Sequence, residues 1–117
     1  LHGWYNSAVT NKDTMYLSWI SIGELYSGVF QCRRRHDTQQ AEMLESWING
    51  IETQYTSRLL AVTPDIIKVW GTLLWPKDQN PIDKLIASTA LIHGLVLASR
   101  NTDDYENLPV RRVNPFT

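Results

Sequence analysis

Four carboxylates, Glu24, Asp83, Asp103 and Asp104, are spaced so that they could form a cation site. Glu24 follows a short apolar run, Met15-Tyr16-Leu17-Ser18-Trp19-Ile20. Asp83 opens a stretch with helical periodicity that leads into a second run, Leu95-Val96-Leu97-Ala98. Asp103 and Asp104 come just beyond that run, within Ser99-Arg100-Asn101-Thr102-Asp103-Asp104-Tyr105. In parallel α/β sheets ligands bind beyond the carboxyl ends of the strands, and all four acids fall there if these elements are neighbours. Clustered oxygen donors on a shallow edge suit Mg²⁺ or Mn²⁺, hard cations that keep some water. Such an ion can activate water and stabilise a phosphoryl transition state. Taken singly, each acid has a plainer reading. Glu24 and Asp83 both fall at the third position of a predicted helix, where a carboxylate caps the first turn and favours the dipole. Asp103 and Asp104 would be solvated or would form Asx-turns. Their joint placement at one sheet edge is what raises the metal reading.

The other reactive or charged groups carry less. Arg33-Arg34-Arg35 reads as a solvated helix end, with a phosphate contact as the alternative. Arg100, beside the acids, is the better candidate for RNA backbone or charge balance. Trp19 and Trp75 read as core or interface residues, with base stacking as the alternative. Ser99 with Asn101 reads as a turn that hydrogen-bonds the site, and His93 as a residue that packs or faces solvent late in a helix. The chain has neither a Gly-rich phosphate loop nor a Gly-x-Ser-x-Gly elbow.

The elements that must position these groups follow from periodicity and capping. Trp4, Tyr5, Ala8 and Val9 give a helical spacing over residues 1–9, and Asn11-Lys12-Asp13 a turn. The run 15–20 predicts a buried strand. Ser21 with Glu24 is a capping box that places a helix start at Ser21, with Arg33 to His36 suiting its C-terminus. Asp37 with Gln40 caps a longer helix bearing Leu44, Ile48 and Ile51. A strand is predicted over 58–62, then a largely buried helix opened by Pro64. Trp75 to Gln79 is a loop. A helix opened by Asn80-Pro81 ends at Gly94 as C′ residue, and strands follow at 95–98 and 110–113. The order β, α, α, β, α, α, β, β predicts a three-layer α/β/α sandwich around a mostly parallel sheet.

The totals agree. At 117 residues there is room for one domain. A net charge of −1 gives no bulk electrostatic case for nucleic acid, so any such case rests on local clusters. The single cysteine, Cys32, excludes an internal disulfide framework and a multi-cysteine zinc site. It fits a reducing, cytoplasmic setting, and no apolar run is long enough for a membrane span.

Ile20-Ser21-Ile22-Gly23-Glu24-Leu25-Tyr26-Ser27-Gly28-Val29 resembles the segment around the second acid of PIN-domain nucleases. Asp83-Lys84-Leu85-Ile86-Ala87-Ser88-Thr89-Ala90-Leu91 is similar to that family's third-acid helix, Leu97 to Tyr105 to its fourth motif, and Val113-Asn114-Pro115-Phe116 to its ending. The resemblance is closest to the VapC and FitB type of toxin ribonuclease. It implies a Mg²⁺- or Mn²⁺-dependent endoribonuclease, the toxin of a type II toxin–antitoxin pair, working as a homodimer with a small antitoxin over its groove. By position it makes Glu24, Asp83 and Asp104 metal ligands, with Asn101 as the alternative fourth position. The family begins with a strand ending in its first acid. No such strand is read here, and Asp13 precedes its strand. The expectation is therefore a chain that lacks the sheet's central strand, leaves two neighbours unpaired there and binds metal poorly. A different class of reading follows from the same gap: a PIN-like interaction module acting by dimerisation or partner binding. Another Mg²⁺ phosphotransfer enzyme is a third.

Overall fold

Side chains along Thr14–Ser18 alternate between two helical layers, and this alternation sets the architecture. Met15 and Leu17 point into one apolar cluster and Tyr16 into another, as the period of two in a strand requires. The computed structural model describes residues 7–11, 14–75, 79–99 and 112–113. Its elements in chain order are β1 (Ser7–Asn11), β2 (Thr14–Ser18), α1 (Trp19–Arg34), α2 (Thr38–Gln54), β3 (Leu59–Leu60) after a 3₁₀ turn, α3 (Pro64–Leu74), α4 (Pro81–His93), β4 (Val96–Ser99) and β5 (Arg112–Val113). The strands form one sheet in the order β3-β2-β1-β4-β5.

Helices α1 and α2 cover one face. Leu17, Ile22, Val29, Cys32, Ala41, Ile48 and Ile51 are buried together there, with Met15 and Leu59 packed against them. Helices α3 and α4 cover the other, where Ile86, Ala87 and Ala90 meet Tyr16, Leu60, Leu73 and Leu95. The predicted three-layer sandwich is therefore present. β3 runs parallel to β2 and β5 parallel to β4. β1 is antiparallel to both β2 and β4, so four strands share one direction and the central strand opposes them.

That central strand corrects two expectations. The helix predicted over residues 1–9 and the turn predicted from Asn11 overlap Ser7–Asn11, which forms β1 instead. A nine-residue helix is marginal alone, whereas Ser7-Ala8-Val9-Thr10-Asn11, with β-branched Val9 and Thr10, gains backbone partners on both sides. β2 and β4 are also not left unpaired. Ser7 pairs with Ser99 and Val9 with Tyr16, so β1 joins the two halves of the sheet. The Thr10 hydroxyl donates to the Thr14 carbonyl at 3.0 Å, tying the two strands where they converge. The helical reading of Trp4 and Tyr5, and the readings of Asp13, of the loop over 76–78, of Arg100 to Tyr105 and of Asn114 to Phe116, lie outside the described residues.

Two element boundaries also move, and one helix is packed differently. α1 begins at Trp19, because Ser18 rather than Ser21 caps it: Ser18 has extended backbone, and its Oγ accepts from the Ile20 N–H at 3.1 Å. β3 is two residues long rather than five. α3 is less buried than predicted: Ile66 is fully enclosed, but Ile67 beside it is exposed. The caps of α2 and α3 and the C-terminal end of α4 are in place, whereas Asn80 at the start of α4 is left-handed and makes no side-chain cap. Asp37 accepts from the Gln40 N–H at 3.2 Å, and Thr63 from the Ile66 N–H at 3.3 Å. Gly94 takes the left-handed conformation (φ 64°) that releases the chain into β4.

Candidate active site

The direction of the strands places two of the sequence-predicted acids together. β2 and β4 point the same way, being antiparallel to the same strand. α1 leaves the end of β2, so its first turns lie at the carboxyl edge of the sheet. α4 leads into β4 and must run back against it, so its first turn lies at that same edge. Glu24 is the sixth residue of α1 and Asp83 the third of α4. The start of β1, at Ser7, sits between these ends, opposite Ser99.

The electrostatics show the convergence. The pKa of Glu24 is raised, first because neighbouring atoms strip water from its carboxylate and second because the negative charge of Asp83 acts on it. Asp83 lies in the first turn of its helix, where the dipole favours a carboxylate. The capping interpretation of Glu24 does not hold: α1 has no acid in its first turn, since its start at Trp19 moves Glu24 into the second. A carboxylate in that position is stabilised little by the dipole and is free for another role.

Two further contacts set the position of Asp83. The indole N–H of Trp70 donates to the Pro81 carbonyl at 2.8 Å, fastening α3 to the start of α4. Deeper in α4, Ala87 and Ala90 are fully buried, and the Ser88 and Thr89 hydroxyls donate to the carbonyls of Lys84 and Leu85. Small residues and internally satisfied hydroxyls let α4 lie close on the sheet. Sequence reasoning missed the Trp70 contact; its only signal is a helical tryptophan eleven residues before a proline.

Asn101, Asp103 and Asp104 lie outside the described residues, and Ser99 ends β4. Among the described residues no third His, Cys, Asp or Glu joins the Glu24–Asp83 pair. The donor chemistry still fits a hard divalent ion, since both groups are carboxylates and a cation between them would offset the desolvation and the Asp83 charge that together raise the Glu24 pKa. The arginine run is engaged elsewhere. Arg33 forms a 3.1 Å ion pair with Glu45, Arg34 lies over the Phe30 ring at 5.9 Å, and Arg35 donates to the Cys32 sulfur at 3.5 Å. Trp75 is 81% exposed and Trp19 45%, so neither is a core residue. His93 is exposed at the end of α4.

A pH dependence follows. A carboxyl group whose folded pKa lies above its unfolded value costs stability when ionised, and the cost is absent below the unfolded pKa. It develops as pH rises from the unfolded value to the raised Glu24 pKa and is complete above the latter. Glu24→Gln is therefore expected to raise the melting temperature at pH 7 in metal-free buffer, and the gain should vanish on acidification below the carboxylate range. A gain that persists unchanged at low pH would rule out an ionisation cost at Glu24.

A model of the family described as PIN domain matches residues 1–110. Among curated proteins, the chain is similar to the plasmid stability protein StbB of Pseudomonas syringae pv. tomato (strain ATCC BAA-871 / DC3000), with 25% identity over 111 residues, 89% of this chain and 77% of that protein. Among solved structures it is similar to a toxin–antitoxin complex from Klebsiella pneumoniae, with a TM-score of 0.55 and 23% identity, over 86% of this chain and 72% of the other. No helix among the described residues is long and apolar enough to cross a membrane.

Proposed function

This chain belongs to the PIN domain family, and from that premise we propose that it is a metal-dependent endoribonuclease, the toxin of a toxin–antitoxin pair. The observation that carries this reading is the meeting of Glu24 and Asp83 at the carboxyl edge of the sheet, close enough for one charge to shift the other's pKa. The plasmid stability protein and the toxin–antitoxin complex to which the chain is similar support the cellular role. In this reading residues 1–117 are one PIN-like domain in a cytoplasmic homodimer, with a cognate antitoxin protein as partner and RNA as substrate. Glu24, Asp83 and Asp104 hold Mg²⁺ or Mn²⁺, and Asn101 and Ser99 orient the cluster. The ion, when bound, supplies activation of water and stabilisation of charge on the phosphodiester. Glu24 and Asp83 offer acceptor oxygens fixed on two separate helices, so their separation is set by the packed sheet rather than by a loop.

The test is cleavage of an RNA oligonucleotide by the purified protein in Mn²⁺, alongside an NMR titration of the Glu24 and Asp83 carboxyl carbons. Cleavage that stops in EDTA, with both carbons shifting, is the expected result. Cleavage that is indifferent to EDTA would sink the metal mechanism. The reversed β1 favours a second reading. It presents the start of a strand, not its end, between the two acids, which suits a module that binds partners without cutting. Neither carbon shifting in tens of millimolar Mg²⁺ or Mn²⁺ would decide for it.

A further inference from the structure

Neither Glu24 nor Asp83 lines the pocket at the start of α1. The first residue of α1 and the last turns of α2 enclose an open pocket of about 460 Å³, lined by Trp19, Asn49, Glu52, Thr53, Thr56 and Leu59. Its size falls within the range of small-molecule sites, roughly 300–1,000 Å³. Residues 49, 52, 53 and 56 recur at helical spacing and form one polar stripe, faced by a half-exposed indole. The Thr53 and Thr56 hydroxyls donate to carbonyls of their own helical segment, so recognition falls to the other two polar side chains. The Tyr26 hydroxyl donates to Asn49 Oδ1 at 3.3 Å, which fixes the amide and leaves its NH₂ as the donor. The Glu52 carboxylate accepts no hydrogen bond among the described residues and is an acceptor only.

We propose that this pocket binds a guanine base of single-stranded RNA flanking the cleaved bond. Unstacked bases in RNA are held on aromatic faces and read on their Watson–Crick edges, and base–aromatic stacking needs a flat, accessible ring. Trp19 supplies the ring. Guanine alone among the four bases presents two adjacent donors, N1–H and the N2 amino group, next to an acceptor, O6. A carboxylate beside an amide NH₂ is the complement of that edge: Glu52 takes the two donors and Asn49 donates to O6. Adenine and cytosine would set a ring-nitrogen acceptor against the carboxylate, and uracil offers a single donor. Trp19 precedes Glu24 by five residues, so the two side chains leave α1 roughly 7–8 Å apart along the axis and about 140° apart around it. A strand whose phosphate passes Glu24 and Asp83 can thus turn a neighbouring base into the pocket.

The proposal rests on the ribonuclease reading for its substrate but is tested without cleavage. The full chain is titrated in EDTA with GMP, AMP, CMP and UMP, following the Trp19 indole N–H resonance, identified by its absence in Trp19→Phe. GMP is expected to shift that resonance and to bind about tenfold or more tighter than the other three. Glu52→Gln, a half-buried and isosteric change, should remove the preference and leave AMP binding within twofold. Equal binding of all four nucleotides overturns the guanine readout, and no shift at Trp19 with millimolar GMP overturns the pocket. GMP selectivity in a protein that fails to cut RNA would leave this site standing and remove only the nuclease reading.

Discussion

Asp83→Asn is expected to abolish growth arrest in cells expressing the protein and to lower metal-dependent RNA cleavage by at least about 10²-fold, the scale of losing one preorganised electrostatic contact in a reacting site. The substitution keeps the size of the side chain. Asparagine can still accept a hydrogen bond at a helix start, α4 keeps Pro81 at its first turn, and Trp70 still holds the Pro81 carbonyl. The circular dichroism spectrum should therefore be unchanged, so lost activity reports on charge rather than on folding. A second readout separates the two further. Without the Asp83 charge, the Glu24 pKa should move back toward its ordinary value, though not fully, because desolvation is the larger cause of its shift. Retained growth arrest would sink the assignment of Asp83. An unmoved Glu24 would mean that the two carboxylates are not neighbours.

The largest effect on stability is expected from Leu17→Ala. Leu17 is fully buried on β2, pairs with Leu59 of β3, and packs beneath α1 and α2 with Ile22, Ile48 and Ile51. Truncating it removes the apolar transfer term and leaves a cavity between two layers that are each held by other contacts and so cannot collapse freely. The cost is about 3 kcal/mol, within the 2–5 kcal/mol of such substitutions. For a domain of this size that lowers the melting temperature by roughly 10–15 °C. Because native stability is only about 5–15 kcal/mol, a large share is lost. A change below about 1 kcal/mol in chemical denaturation would show that this face of the sheet is not packed as described.

The layered fold was legible because its signals are local. The capping pair at Asp37, the helix start at Pro64, the C′ glycine at Gly94 and the apolar stripes of α2 and α4 each name an element without reference to the rest of the chain. The acid pair was legible for a related reason: Glu24 and Asp83 are tied to the starts of helices whose strands share an edge. What could not be read was a choice between near-equal alternatives. Ser18 and Ser21 are both serines that can cap, and the outcome depends on β2 ending where Leu17 is buried. Residues 7–11 carry too little apolar periodicity to declare themselves; their strand state comes from two neighbours that are far apart in sequence. The pocket beside Trp19 was hidden because a polar helical stripe ordinarily means a solvated face.

The reversed central strand also bears on how the sheet assembles. Asn11 and Thr14 are three residues apart in sequence and Val9 and Tyr16 seven, so β1 and β2 can close as a hairpin within about 1–10 μs. Joining β1 to β4 instead requires Ser7 to find Ser99, across nearly the whole length of the chain, and such distant closure is slow. Folding is thus divided at β1. One half, β3-β2-β1 under α1 and α2, can form early; the other, α3 and α4 with β4 and β5, docks later. Until it does, the free side of β1 is an open strand edge in the middle of the future sheet, the position at which a second unfolded chain could pair and start aggregation.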